Sequence, residues 1–144
     1  MQESDRVSGR LVGGCLDVLE FLKGTPWWIP KKLWDGAIFF AETSDEAPAP
    51  NVVGYWLRNY GSQGVLERIS GMMVARPMRY TREMNDALYA EIRRVLAEFG
   101  REDLPVVVNM DFGHTSPQMI VPMGCRAMID PAAKRVAVLE SPVA

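Results

Sequence analysis

Apolar residues along this chain fall into blocks whose spacing switches between the period of a helix face and the unbroken run of a buried strand. Leu16, Leu19 and Leu22, with Val18, share one helical face, while Asp17, Glu20 and Lys23 share the other, which predicts an amphipathic helix stopped by Gly24. Residues 36–42, GAIFFAE, read as a short buried strand that ends on a carboxylate, Glu42. Pro48 and Pro50 introduce a second helix over about 51–60, with Val52, Val53, Trp56, Leu57 and Tyr60 as its stripe and Gly61 and Gly64 closing it. Residues 71–75, GMMVA, are another buried strand. Thr81 is a good N-cap for the longest helix, 82–99, whose inward face is Met84, Leu88, Ile92, Val95, Leu96 and Phe99 and whose charged face, including Glu83, Glu91, Arg93 and Arg94, reads as solvated. A central strand over 105–110, an alternating run at 118–121 and a hairpin of 126–129 with 135–139 complete the chain. Residues 1–8 read as a disordered leader, with the domain spanning 9–144. The order strand, helix, strand, helix, strand, helix and three strands argues an α/β domain with parallel crossovers and an antiparallel tail.

Composition narrows the function classes. A chain of 144 residues with 48% hydrophobic content supports one core. Sixteen basic against eighteen acidic residues give a net charge of -2, and no basic stripe interleaves with aromatics, so nucleic acid is not an expected partner. Cys15 and Cys125 are far apart and lack CxxC spacing, which argues against a zinc site or a disulfide scaffold and for a reducing compartment. No apolar run reaches the roughly 18 residues of a spanning helix, and residues 1–10 lack a signal-peptide core, so the expected protein is soluble with no membrane partner. The methionines read as core rather than as a cofactor box, and no cofactor is expected.

Candidate chemistry gathers at DFGHTSPQMIVPMG, residues 111–124, which holds His114, the single histidine of the chain. Gly113 and Pro117 shape a loop that aims one imidazole. With no second histidine and no Cys or carboxylate at ligand spacing, His114 is a better general base than metal ligand. The DFG tripeptide lacks the glycine-rich loop, strand lysine and HRD loop of a kinase. Glu42, at the end of a buried strand, is the carboxylate placed to orient the imidazole, as the third member of a serine triad does. A nucleophile is harder to find: there is no GxSxG elbow, Ser44, Ser62, Ser70, Ser116 and Ser141 lie in ordinary contexts, and a residue two positions from His114 on a loop, as Ser116 is, seldom places its oxygen on the ring nitrogen. Gly13 and Gly14, ahead of the first helix, read either as a flexible turn or as backbone N–H groups open to a substrate carboxylate. Trp27 and Trp28, in the TPWWIP loop, read as half-buried packing or as a docking surface.

Ordered blocks of this sequence resemble the C-terminal domain of the serine LD-carboxypeptidase family, in its microcin C immunity-type branch. They are RLVGGCLDVLEFLKGT (10–25), AIFFAETSDEAPAP (37–50), LRNYGSQGVLERISGMMVARP (57–77) and the DFGHTSP run with its hairpin through Glu140. The resemblance covers nearly the whole chain from about Val7. It implies a swivelling β/β/α-type domain with a mixed sheet, and a Ser-Glu-His triad of which Glu42 and His114 occupy the glutamate and histidine places. The serine and the oxyanion donors would belong to an N-terminal domain that this chain does not contain, so the chain alone is expected to be inactive. The implied reaction is hydrolysis of an amide next to a free carboxylate, either in murein tetrapeptides or in peptidyl-nucleotide antibiotics, in the cytoplasm. The resemblance also implies a homodimer. Where the family often has GGN, this chain has Gly13-Gly14-Cys15. The alternatives are a standalone non-catalytic module that binds muropeptide or peptidyl-nucleotide, and a self-sufficient hydrolase using Ser116.

Overall fold

The structure, a computed structural model, describes residues 6–143. Its elements run β1 (Val7–Cys15), α1 (Leu16–Leu22), a 3-10 turn (Lys31–Trp34), β2 (Ile38–Glu42), α2 (Pro50–Ser62), α3 (Val65–Arg68), β3 (Gly71–Ala75), α4 (Arg82–Glu98), β4 (Val106–Met110), β5 (Arg126–Asp130) and β6 (Arg135–Val138). The expected order of strands and helices is present. The six strands form one sheet in the order β4-β3-β2-β1-β5-β6. β1 to β4 pair in parallel, while β5 runs antiparallel to β1 and β6 antiparallel to β5. This is the mixed α/β sheet with a C-terminal hairpin expected from the sequence.

The inner strands β2 and β3 are apolar almost throughout because both faces of the sheet are covered there. Alternation in β2 divides its residues: Phe39 and Ala41 join the core formed with α2 and α4, and Ile38 and Phe40 join a second core with Leu11, Met73, Phe112, Ala127 and Ile129. The first core centres on Trp34, Phe39 and Tyr60, which are fully buried and pack with ring centroids 4.9 to 6.0 Å apart. Thr81 caps α4, its Oγ1 accepting from the Met84 N–H at 3.3 Å.

Several expectations need correction. β1 starts at Val7, with Val7 and Ser8 paired to Ile129 and Met128, so the strand takes in residues expected to belong to a leader; residues 1–5 lie outside the described residues. β4 is an edge strand, not a central one, because the chain passes from β4 over the sheet and returns at β5 on the far side of β1. Residues 118–121 form no strand, and Ile120 is 88% exposed. Val18 projects to solvent, since α1 has only seven residues and buries Leu16 and Leu19. Glu91 is buried rather than solvated: Arg94 Nε donates to it at 2.7 Å, and Arg58 Nη1 of α2 approaches at 3.9 Å. The ion pair is what makes a buried carboxylate tolerable. Of the two loop tryptophans, Trp28 packs on Trp34 and Tyr60, with ring centroids 6.2 and 5.7 Å away, while Trp27 is 80% exposed.

Candidate active site

The parallel register of β1 on β2 sets Cys15 beside Glu42, each the last residue of its strand. Glu42 therefore stands at the carboxyl edge of the sheet, where open α/β sheets present side chains to ligands. His114 arrives from the other direction, on the loop that leaves edge strand β4 and crosses β3. Phe112 anchors that loop: it is buried and meets Phe40 edge-on, with ring centroids 6.2 Å apart. Arg76, just past β3, holds the loop from below, its Nη2 donating to Asp111 Oδ1 at 2.7 Å.

Gly113 brings the backbone against the carboxylate. Its φ is +76°, and a Cβ built there would lie 2.0 Å from Glu42 Oε2, so both conformation and space demand glycine. The same Oε2 accepts two hydrogen bonds from His114, one from the backbone N–H at 2.9 Å and one at Nδ1 at 2.8 Å. This assigns the Nδ1–H tautomer and leaves Nε2 as the basic nitrogen. The Glu42 side chain is 12% exposed and that of His114 43%, so the carboxylate is sheltered and the imidazole open. The hydrogen bond that His114 donates to Glu42, reinforced by the charge of Glu42 and by those of Asp45 and Asp17, raises His114 above the ordinary histidine value of 6.5, although partial burial opposes the shift.

Around the pair lie groups that sequence spacing does not reveal. Asp17, on α1, accepts from the Ser44 N–H at 3.1 Å and from the Ser44 hydroxyl, tying the loop after β2 to the helix after β1. Burial works to raise the Asp17 carboxyl, but the hydrogen bonds from Ser44 and Cys15 outweigh it and hold Asp17 below the usual carboxylate range. Cys15 donates its thiol to Asp17 Oδ1 at 3.0 Å. Burial, that hydrogen bond and the charges of Glu42 and Asp17 push the thiol up to about 12, so Cys15 is a neutral thiol. An open cleft of about 780 Å³ runs from His114 past Ser116 and Gln118 to Asp45, Arg79 and Tyr80. Among the described residues, Arg79 has no carboxylate partner; its Nη1 donates to the Asp45 carbonyl at 3.0 Å.

The expected nearness of Glu42 and His114 is therefore present. No serine hydroxyl is hydrogen-bonded to His114 among the described residues, and Ser44 is engaged by Asp17. Gly13 and Gly14 do not form a loop ahead of the helix. They lie inside β1, paired with Phe40 and Ala41, and a Cβ on Gly13 would sit 1.8 Å from the Phe40 carbonyl oxygen. The absence of a side chain at Gly13 is thus explained by strand packing. Metal ligation was not expected, yet Cys15, Glu42 and His114 bring their donor atoms within 4.8 Å of one another.

Fold and site together describe an α/β domain that presents a carboxylate-supported imidazole at the carboxyl edge of its sheet. The chain belongs to the LD-carboxypeptidase C-terminal domain family, which its sequence matches over residues 8–129. It is 30% identical over 96% of its length to a "Probable murein peptide carboxypeptidase" of Bacillus subtilis, of which it covers 41%. It is 27% identical over 95% of its length to the microcin C7 self-immunity protein MccF of Escherichia coli, of which it covers 38%. Among solved structures, an MccF-like protein from Streptococcus pneumoniae in complex with AMP matches 95% of this chain at 25% identity with a TM-score of 0.73, and the match covers 42% of that protein. The chain thus spans about two fifths of the length of these relatives.

Proposed function

We propose that this chain supplies the glutamate and histidine of a Ser-Glu-His triad in a cytoplasmic serine carboxypeptidase that hydrolyses an amide next to a free carboxylate. The observation that carries the reading is the doubly hydrogen-bonded contact of Glu42 Oε2 with His114, at 2.8 Å to Nδ1 and 2.9 Å to the backbone N–H. A carboxylate held in this way does two things: it selects the tautomer whose Nε2 can take a proton, and it stabilises the imidazolium that results. The serine comes from an N-terminal domain. Its Oγ attacks the amide carbonyl as Nε2 of His114 accepts the hydroxyl proton, and His114 then returns that proton to the leaving amine. Arg79, at the far side of the cleft, supplies positive charge for the substrate's carboxylate or phosphate.

Two substrate classes fit this reading, murein tetrapeptides with a terminal D-alanine and microcin C-like peptidyl-nucleotides, in line with the names of the relatives. The test is an assay of both with the full-length protein and with the 144-residue chain. Turnover by the full-length protein and none by the chain alone is expected. Turnover by the chain alone would overturn the division of the triad between two domains.

The acid limb of the full-length enzyme's pH–rate profile gives a second check. His114 must be neutral to act as base, and the Glu42 hydrogen bond raises its pKa above 6.5, so activity is expected to rise with pH through a midpoint above 6.5. The Glu42→Gln variant should move that midpoint downward, because the partner that favours the imidazolium loses its charge. The same raised pKa means that the His114 contribution to stability is full below 6.5 and is lost as pH rises through the folded-state value.

A further inference from the structure

Cys15 has no task in the reaction above, yet the fold places it at the reaction centre. The register of β1 on β2 holds it beside Glu42, and the 111–124 loop carries His114 in. Its Sγ, a carboxylate oxygen of Glu42 and a ring nitrogen of His114 lie within 4.8 Å of one another. One thiol, one imidazole and one carboxylate form a donor set that suits zinc, with three protein ligands and one position left for water. Zinc bonds of about 2.0–2.3 Å place tetrahedral donors about 3.3–3.7 Å apart, so closure around an ion needs a shift on the order of 1 Å. Side-chain rotation at Cys15 and His114 can supply that shift. Asp17, whose Oδ1 lies 3.0 Å from Sγ and accepts the thiol proton's hydrogen bond, adds negative charge beside the site.

We infer that Cys15, Glu42 and His114 form a site for a thiophilic divalent cation of the zinc type, and that occupancy takes the imidazole and the carboxylate out of use for catalysis. In the binding step the Sγ–H bond breaks, a sulfur–metal bond forms and the proton leaves to solvent. His114 changes tautomer, its ring proton passing from Nδ1 to Nε2 by way of solvent, so that Nδ1 contributes a lone pair; Glu42 contributes an oxygen lone pair, and nothing is oxidised or reduced. The inhibitory consequence rests on the proposed function; the binding does not.

The test is a titration of the 144-residue chain with Co²⁺ in a thiol-free reductant, read by the near-ultraviolet thiolate-to-cobalt charge-transfer band, followed by displacement with Zn²⁺. One equivalent should saturate the band, and Zn²⁺ should abolish it. Cys15→Ser should remove the band, Cys125→Ser should keep it, and Glu42→Gln and His114→Ala should each weaken binding by at least about tenfold. Absence of the band in the unsubstituted chain overturns the inference without need of any variant. So does a band that disappears in Cys125→Ser, or an affinity unchanged by His114→Ala. Should His114→Ala leave turnover of the full-length enzyme intact, the proposed function falls, while a Co²⁺ band lost in Cys15→Ser still upholds the metal site.

Discussion

Replacing His114 with alanine in the full-length enzyme is expected to lower kcat by about 10⁴-fold or more while leaving the protein folded. The imidazole is the base in the proposed mechanism and the acid of the next step, so its loss removes both proton transfers. The fold does not depend on it. His114 is a loop residue whose ring is largely open, and its loop is held independently by buried Phe112, by the Arg76–Asp111 pair and by the Met119 N–H donating to the Asp111 carbonyl at 2.6 Å. Its backbone N–H bond to Glu42 survives the substitution. Glu42→Gln should cost less, on the order of 10²–10⁴ in kcat, because an amide oxygen can still accept both hydrogen bonds but carries no charge to stabilise the imidazolium. Steady-state kinetics beside a circular-dichroism melt separate the two effects. Retained turnover in His114→Ala would sink the assignment, whereas lost turnover with a collapsed melt would show that the residue is structural.

The second large effect is expected at Gly13. Gly13→Ala should destabilise the domain by more than about 4 kcal/mol and leave much of the chain unfolded. The new Cβ would meet the Phe40 carbonyl oxygen at 1.8 Å and its carbon at 2.8 Å, with φ at +152°. Both partners are backbone in the middle of the sheet, so neither can turn aside, and relief requires parting β1 from β2. Urea denaturation measures the loss, and Gly24→Ala is the reference. At Gly24 φ is +83° but a Cβ meets nothing within 4 Å, so the change should cost only about 1 kcal/mol. A Gly13→Ala protein that stays folded but no longer binds substrate would support the other role read for the Gly-Gly pair, as a cradle for the substrate carboxylate.

Gly13, Cys15 and Glu42 lie within two positions of the ends of β1 and β2, and the loop after β4 brings His114 to them. Gly13 lets the two strands approach, Gly113 lets the loop approach them, and Glu42 meets His114 where the approaches converge. The geometry of the Glu42–His114 pair is thus a consequence of close backbone packing as well as of side-chain choice. That is why the addition of a single β-carbon at Gly13 is expected to part the strands that hold the site.

The sequence by itself determined most of the elements and singled out the two residues proposed to react. Hydrophobic period is a local property, so β3 and α4, including the Thr81 cap, could be read within a residue of their observed bounds. Glu42 and His114 could also be singled out, one because a carboxylate ends an otherwise apolar strand, the other because it is the single histidine and sits between Gly113 and Pro117. Tertiary structure decided what period cannot encode. Only strand pairing made β4 an edge and set Cys15 beside Glu42, since register depends on contacts between residues 27 apart in the chain. Only helix packing turned Glu91 from a surface charge into a buried one, by bringing Arg58 of α2 across to it. Only the path of the 111–124 loop over β3 closed the 72-residue gap between His114 and Glu42 to 2.8 Å. In each case the deciding free energy comes from a neighbour remote in sequence, and the local pattern carries no record of it.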